Sequence, residues 1–173
     1  LLAERERGRA GRSEVRMPEH LSTSAVVHLA EDPQAFALAL RRPVPTTPST
    51  VARRGTEFHA WVERYFGRAA LVDVDELPGA DEVDPDPGLE ALRAAFLASP
   101  WAARSPLEVE VDVETPIGDV VVRSRIDAVF AEPDGGVVVV DWKTGAVPSE
   151  EQMRSRVLQL AVYRLAWSRR AGL

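Results

Sequence analysis

An apolar run, VVVVDWKTG at 137–145, ends in two opposite charges. Asp141 and Lys143 are two residues apart, and in a β-strand such residues project from the same face. A second aspartate, Asp127, lies in the preceding apolar segment, and a hairpin turn near 133–136 would bring it close to Asp141. We therefore expect two carboxylates and one ammonium to meet where paired strands end.

These residue types predict phosphodiester hydrolysis. Two adjacent carboxylates repel each other, and a divalent cation relieves that repulsion. Oxygen ligands suit Mg²⁺ or Mn²⁺, with water in the remaining positions. A lysine beside the cation can hold an attacking water, lower its pKa or stabilise charge developing on phosphorus. Asp127, Asp141 and Lys143 thus form a candidate catalytic group, and the competing interpretation is a solvated Asp–Lys pair of little energetic value.

Further side chains have the spacing to join this group. Gln159 and Tyr163 are four residues apart on a predicted helix and share a face, although a core tyrosine beside a surface glutamine would give the same pattern. His59 lies among large apolar residues of another predicted helix. Such a histidine is often a core or boundary residue, but imidazole is also a ligand for manganese and iron.

The period of the apolar pattern gives the elements that must position these residues. Two short helices are predicted over 21–40, followed by amphipathic helices over 49–67 and 88–99, strands over 107–115, 120–131 and 137–142, and a last helix over 149–170 with a capping box at Ser149 and Gln152. The third strand is apolar on both faces, so we expect it at the centre of the sheet. The predicted class is α/β, with a small mixed sheet flanked by helices.

Composition restricts the classes of function. The 173 residues suffice for one domain, and the first residue is leucine, so we interpret the chain as a fragment of a larger protein in which 1–17 is a linker or a helix of a preceding domain and 18–173 is the functional domain. No apolar run could span a membrane, and we expect a cytoplasmic location. The absence of cysteine excludes thiolate metal sites and iron–sulfur clusters within this chain. A net charge of −6 and a predicted acidic loop at 73–88 argue against tight nucleic-acid binding by the isolated chain.

The motifs form an ordered set: GTEFH (55–59), RIDAVF (125–130), VVVVDWKTG (137–145) and QLAVY (159–163). This order resembles the RecB-type branch of the PD-(D/E)XK nuclease superfamily, in which a helical G-x-x-x-H precedes a strand with D, then D/E-x-K, then Q-x-x-x-Y. The resemblance covers roughly residues 20–170. The segment ARRGTEFHAWVERYF (52–66) is most similar to the nuclease part of actinobacterial superfamily 1 helicase–nucleases.

The resemblance implies a restriction-endonuclease-like core and a role for each residue. Asp127 and Asp141 would bind Mg²⁺ or Mn²⁺, with His59 and the backbone carbonyl of Trp142 as further ligands, and Lys143 would position or activate the water. Gln159 and Tyr163 would contact DNA or support the site, and the nearby basic residues Arg54 and Arg156 are candidates for phosphate contacts. Some relatives place a cluster-binding cysteine before a proline where this chain has Asp32, so no iron–sulfur cluster is expected.

The implied activity is a DNA exonuclease acting on single strands in double-strand break processing. The implied partners are single-stranded DNA, ATP-binding helicase motor domains of the same chain, and a second helicase–nuclease subunit. Two alternatives stay open: a non-catalytic DNA-binding or scaffolding domain on the same fold, and a free-standing nuclease of the CRISPR-adaptation type.

Overall fold

The computed structural model describes residues 14–43, 49–70 and 86–173. Most of the predicted segment 1–17 and of the predicted acidic loop, up to residue 85, lie outside these ranges. None of the described helices is long and apolar enough to span a membrane.

The described elements are five helices and four strands, and the strands form one sheet. In chain order they are β1 (His20–Ser22), α1 (Thr23–Glu31), α2 (Pro33–Arg41), α3 (Thr50–Ala70), α4 (Pro87–Leu97), β2 (Glu108–Ile117), β3 (Val120–Ala131), β4 (Val137–Val140) and α5 (Glu150–Ala171). The α/β class with a small mixed sheet is confirmed. Helix α4 begins at Pro87, inside the range predicted for the acidic loop, because the Asp86 side chain caps it by accepting from the Gly88 N–H at 2.8 Å.

Local capping chemistry sets the ends of the last helix. The Ser149 hydroxyl accepts from the Gln152 N–H, and the Gln152 side chain accepts from the Ser149 N–H at 3.0 Å, which is the predicted capping box. The helix ends at Gly172, whose φ of 68° is a left-handed conformation that glycine adopts without a steric cost.

The centre of the sheet is β3. It pairs antiparallel with β2 along one edge, and on its other edge with β1 in parallel and β4 antiparallel. The prediction that β4 is the central strand was therefore wrong. Val138 and Val140 pack against one hydrophobic core and Val139 against the other, so helices cover both faces of β4 although it pairs only with β3 among the described strands.

Two hydrophobic cores lie on opposite faces of the sheet, and the strands change faces between them. Val109 packs in the core under α3 and α4, whereas Val111, two residues on, packs in the core under α5. Ala128 and Ile126 on β3 divide between the two cores in the same way. The change occurs at Glu110, whose φ of 48° is an uncommon conformation for a residue other than glycine.

Candidate metal centre

The switch between the cores places two carboxylates side by side. The register pairs Val109 with Ala128 and Val111 with Ile126, so Glu110 stands opposite Asp127. Each of these acidic side chains is only 8% exposed. Two nearly buried carboxylates repel each other unless positive charge lies between them.

The imidazole of His59, on α3, supplies that charge. Its Nδ1 lies 3.2 Å from Glu110 Oε1 and 3.5 Å from Asp127 Oδ1, and its Nε2 lies 3.1 Å from the carbonyl oxygen of Trp142. Both ring nitrogens therefore face acceptors, which favours the doubly protonated ring. The hydrogen bond to Asp127, with help from Glu110 and against the effect of burial, raises the pKa of His59 to about 8.

The same atoms could hold a divalent cation. Ligand atoms of His59, Glu110 and Asp127 lie within 4.8 Å of one another. The Trp142 carbonyl faces Nε2 of the imidazole, whereas both carboxylates face Nδ1. One imidazole nitrogen and two carboxylates suit Mg²⁺ or Mn²⁺ once the ligating nitrogen has lost its proton. The residues present thus fit a metal centre.

Asp141 lies beside this group, on the side of Lys143. The Lys143 ammonium is 2.8 Å from Asp141 Oδ2 and 3.0 Å from Oδ1, and the Gln159 amide donates to Oδ1 at 3.2 Å. Burial raises the pKa of the Asp141 carboxyl, Lys143 opposes that effect, and the negative charge of Asp127 adds to it. The two predicted aspartates are therefore near enough to interact electrostatically.

The backbone of Trp142 joins the two halves of the site. Its N–H donates to Asp127 Oδ2 at 2.6 Å, while its carbonyl faces His59. The indole packs against Phe96 and Trp101 at ring-centroid distances of 5.4 and 6.0 Å. The aromatic core thereby fixes the turn that carries Asp141 and Lys143.

Gln159 and Tyr163 approach the site from α5. The Gln159 amide donates both to Asp141 and, at 2.9 Å, to the Tyr163 hydroxyl. Tyr163 is 6% exposed and packs in the core under α5. Burial raises the pKa of its hydroxyl to about 12, so the group stays protonated at neutral pH. Tyr163 is thus a core residue whose hydroxyl contacts a half-buried Gln159, and the roles predicted for both in the site stay predictions.

The predicted phosphate-contacting arginines have different surroundings. Arg54 donates from Nε to Asp86 Oδ2 at 2.7 Å, and a Cβ added at Gly88 would lie 2.4 Å from its Cζ. Its guanidinium therefore joins α3 to the start of α4. Arg156 is half-buried on α5, less than one turn before Gln159.

The glycine of G-x-x-x-H has a packing role. Gly55 lies one helical turn before His59 on α3, and a Cβ there would meet Thr144 Oγ1 at 3.2 Å. Without a side chain, the helix admits the turn that follows Asp141 and Lys143. The spacing of Gly55 and His59 thus places both on the face of α3 that meets this turn.

Glu110 is the residue of this site that sequence reasoning missed. In LEVEVDVET it looks like any other polar residue of an alternating strand. A signal existed in the register. The turn at Gly118 and Asp119 pairs Ile117 with Val120, and counting back along both strands brings Glu110 opposite Asp127.

Comparison with protein families identifies a superfamily whose model matches most of the chain. The model of the PD-(D/E)XK nuclease superfamily matches residues 20–173. No curated protein matches the chain. The match extends from β1 to the end of α5, so it includes every side chain described above.

Proposed function

Because the chain belongs to the PD-(D/E)XK nuclease superfamily, we propose that it is a divalent-cation-dependent phosphodiesterase that cleaves DNA. Members of this superfamily are usually metal-dependent nucleases. The observation that carries the proposal is the group of His59, Glu110 and Asp127 next to the Asp141–Lys143 pair.

The ligands in this proposal are His59, Glu110, Asp127 and the Trp142 carbonyl, with Asp141 as a further carboxylate beside Asp127. The three-residue group is supported by the mutual distance of its ligand atoms. When bound, Mg²⁺ or Mn²⁺ would supply positive charge that polarises the phosphodiester and stabilises the charge developing on it.

Lys143 would act on the water and the phosphate. Its side chain is 38% exposed and its ammonium is held by Asp141, so it lies at the boundary between the buried carboxylates and solvent. An ammonium has three donors, and those that Asp141 leaves free can hold a water or a phosphate oxygen. Gln159 would keep the Asp141 carboxylate, and through it Lys143, in place.

The finer proposal is an exonuclease of the RecB type that acts on single-stranded DNA in double-strand break processing. Its support is the ordered motif set that ends in Gln159 and Tyr163, and their hydrogen bond. We further propose that helicase motor domains of the same chain, with a second helicase–nuclease subunit, deliver the strand. A net charge of −6 favours such delivery, because it opposes independent binding of a polyanion.

The test is cleavage of a 5′- or 3′-labelled single strand with Mg²⁺ or Mn²⁺ and with a chelator. The wild type is compared with Asp127→Asn, which removes one charge at the centre. Asp119→Asn is the matched control, because it removes an exposed charge from the turn of the same hairpin.

Cleavage should require the cation, disappear in Asp127→Asn and persist in Asp119→Asn. Equal cleavage by Asp127→Asn with an unchanged circular dichroism spectrum would refute the proposed centre. A folded wild type that binds the cation and single strands but cuts none would favour the non-catalytic alternative. The end at which the label is released first gives the polarity.

A further inference from the structure

Two arginines of β3 make similar ion pairs with β2. Arg123 and Arg125 are two residues apart on one face, and their side chains are 59% and 60% exposed. Arg123 Nε donates to Glu114 Oε1 at 2.8 Å, and Arg125 Nε donates to Glu110 Oε2 at 2.6 Å. The cations are thus matched in residue type, exposure and donor atom.

Their carboxylate partners differ. The Glu114 side chain is 59% exposed, whereas that of Glu110 is 8% exposed. An exposed ion pair contributes little to stability, because water solvates both charges when the pair is broken. A nearly buried carboxylate depends on its partners, and Glu110 in addition stands opposite Asp127 with a left-handed backbone.

The two oxygens of Glu110 have separate partners. Oε2 accepts from Arg125, and Oε1 lies 3.2 Å from Nδ1 of His59, inside the candidate metal centre. The Arg123 guanidinium pairs instead with Glu114, which is not part of that centre. Arg125 therefore occupies one oxygen and leaves the other facing His59 and Asp127.

We propose that Arg125 is a positioning residue for the metal centre, which fixes the Glu110 carboxylate so that Oε1 alone faces the cation. This inference rests on the proposed function, because it assumes that the centre binds a divalent cation. Without Arg125, Oε2 loses its donor and the carboxylate can rotate away from His59. Partners of metal ligands commonly act in this manner, and their loss typically costs about 10- to 100-fold in metal affinity.

The direction of the change in cation affinity distinguishes positioning by Arg125 from simple charge repulsion. Arg125 is itself a cation, and a purely electrostatic role would make its removal strengthen cation binding. Its guanidinium is largely solvent-exposed, so water and salt screen that repulsion. Positioning therefore predicts weaker binding in the variant, and repulsion predicts tighter binding.

The experiment is a titration of the complete chain with Mn²⁺, without DNA, followed by the electron paramagnetic resonance signal of the free ion. Arg125→Ala should raise the dissociation constant about 10-fold or more, whereas Arg123→Ala should leave it within about twofold. Arg125→Gln, which retains an amide donor without charge, should fall between them. Cleavage by Arg125→Ala should recover at saturating Mn²⁺, because the residue positions a ligand and does not touch the reacting atoms.

Affinity in Arg125→Ala that equals or exceeds that of the wild type would overturn the inference, as would an equal loss in Arg123→Ala. If Arg125→Ala does not fold, Arg125→Gln against Arg123→Gln decides by the same criterion. A wild type that binds Mn²⁺ but cleaves nothing would refute the proposed function and leave this inference to the titration. A wild type that binds no Mn²⁺ would refute both.

Discussion

In the metal-free protein, replacement of His59 by glutamine should remove a pH-dependent part of the stability. The imidazolium lies between Glu110 and Asp127, and these partners raise its pKa from 6.5 to about 8. The folded protein thus binds this proton more tightly than the unfolded chain does. The stabilisation is complete below about pH 6.5 and is lost as the pH rises through about 8.

The magnitude follows from the size of the rise. One pKa unit corresponds to about 1.4 kcal/mol, so a rise from 6.5 to about 8 corresponds to about 2 kcal/mol. The side chain is only 26% exposed, and solvent screening therefore reduces this value little. About 2 kcal/mol is a substantial part of the total stability of a domain.

Urea denaturation with a chelator, at several values between about pH 6 and pH 9, measures this contribution. The free energy of unfolding of the wild type minus that of His59→Gln should fall by about 2 kcal/mol across this range. His20→Gln removes an exposed imidazole on β1 and controls for the loss of a histidine as such. A difference between wild type and His59→Gln that does not change with pH would refute the reasoning.

Three other substitutions test separate parts of the site. Lys143→Ala should slow cleavage about 10²-fold or more with nearly unchanged Mn²⁺ affinity, and a parallel loss of both would mean that the lysine only shapes the centre. Gly55→Ala should slow cleavage, because the added Cβ would lie 3.2 Å from Thr144 Oγ1, although the substitution favours the helix itself by up to about 1 kcal/mol. Adding Thr144→Ala should restore the cleavage rate, and no recovery in the double variant would exclude this contact as the cause. Phe96→Ala should lower the free energy of unfolding by about 3 to 5 kcal/mol, since Phe96 is 4% exposed and packs among the aromatic rings of α3 and Trp142. Urea denaturation measures this loss, and a value under about 1 kcal/mol would contradict the packing.

The parts of the fold that depend on local chemistry were predictable from the sequence. The capping box at Ser149 and Gln152 and the alternation within 107–115 depend on neighbouring residues alone, and they gave the helix start and the strand. The prediction that β4 is central failed because an apolar run indicates that both faces of a strand are buried, and it does not indicate how many strands pair with it. Its valines pack in both cores, yet its hydrogen bonds go to β3.

The order of the short motifs along the chain was sufficient to predict the superfamily. The family match over residues 20–173 confirms that superfamily, whereas the roles assigned to His59, Asp127, Asp141 and Lys143 stay predictions. Alternation alone could not identify Glu110, because it marks the residue as solvent-facing and does not report the reversal at its φ of 48°; only the register counted from the hairpin turn brings it opposite Asp127. The pairing of Arg54 with Asp86 depends on two helices meeting, which no local pattern reports.

The turn at Gly118 and Asp119 has a consequence for how the gene can vary. Surface turns usually accept inserted or deleted residues, since little else depends on their length. Here the pairing of Ile117 with Val120 fixes the register of the whole hairpin up to Asp127. One codon more or less in this turn, if β2 slid to absorb it, would bring a valine in place of Glu110 opposite Asp127. The length of this turn thus determines which residues face each other in a centre roughly 20 Å away, and it should be under the same selection as the carboxylates themselves.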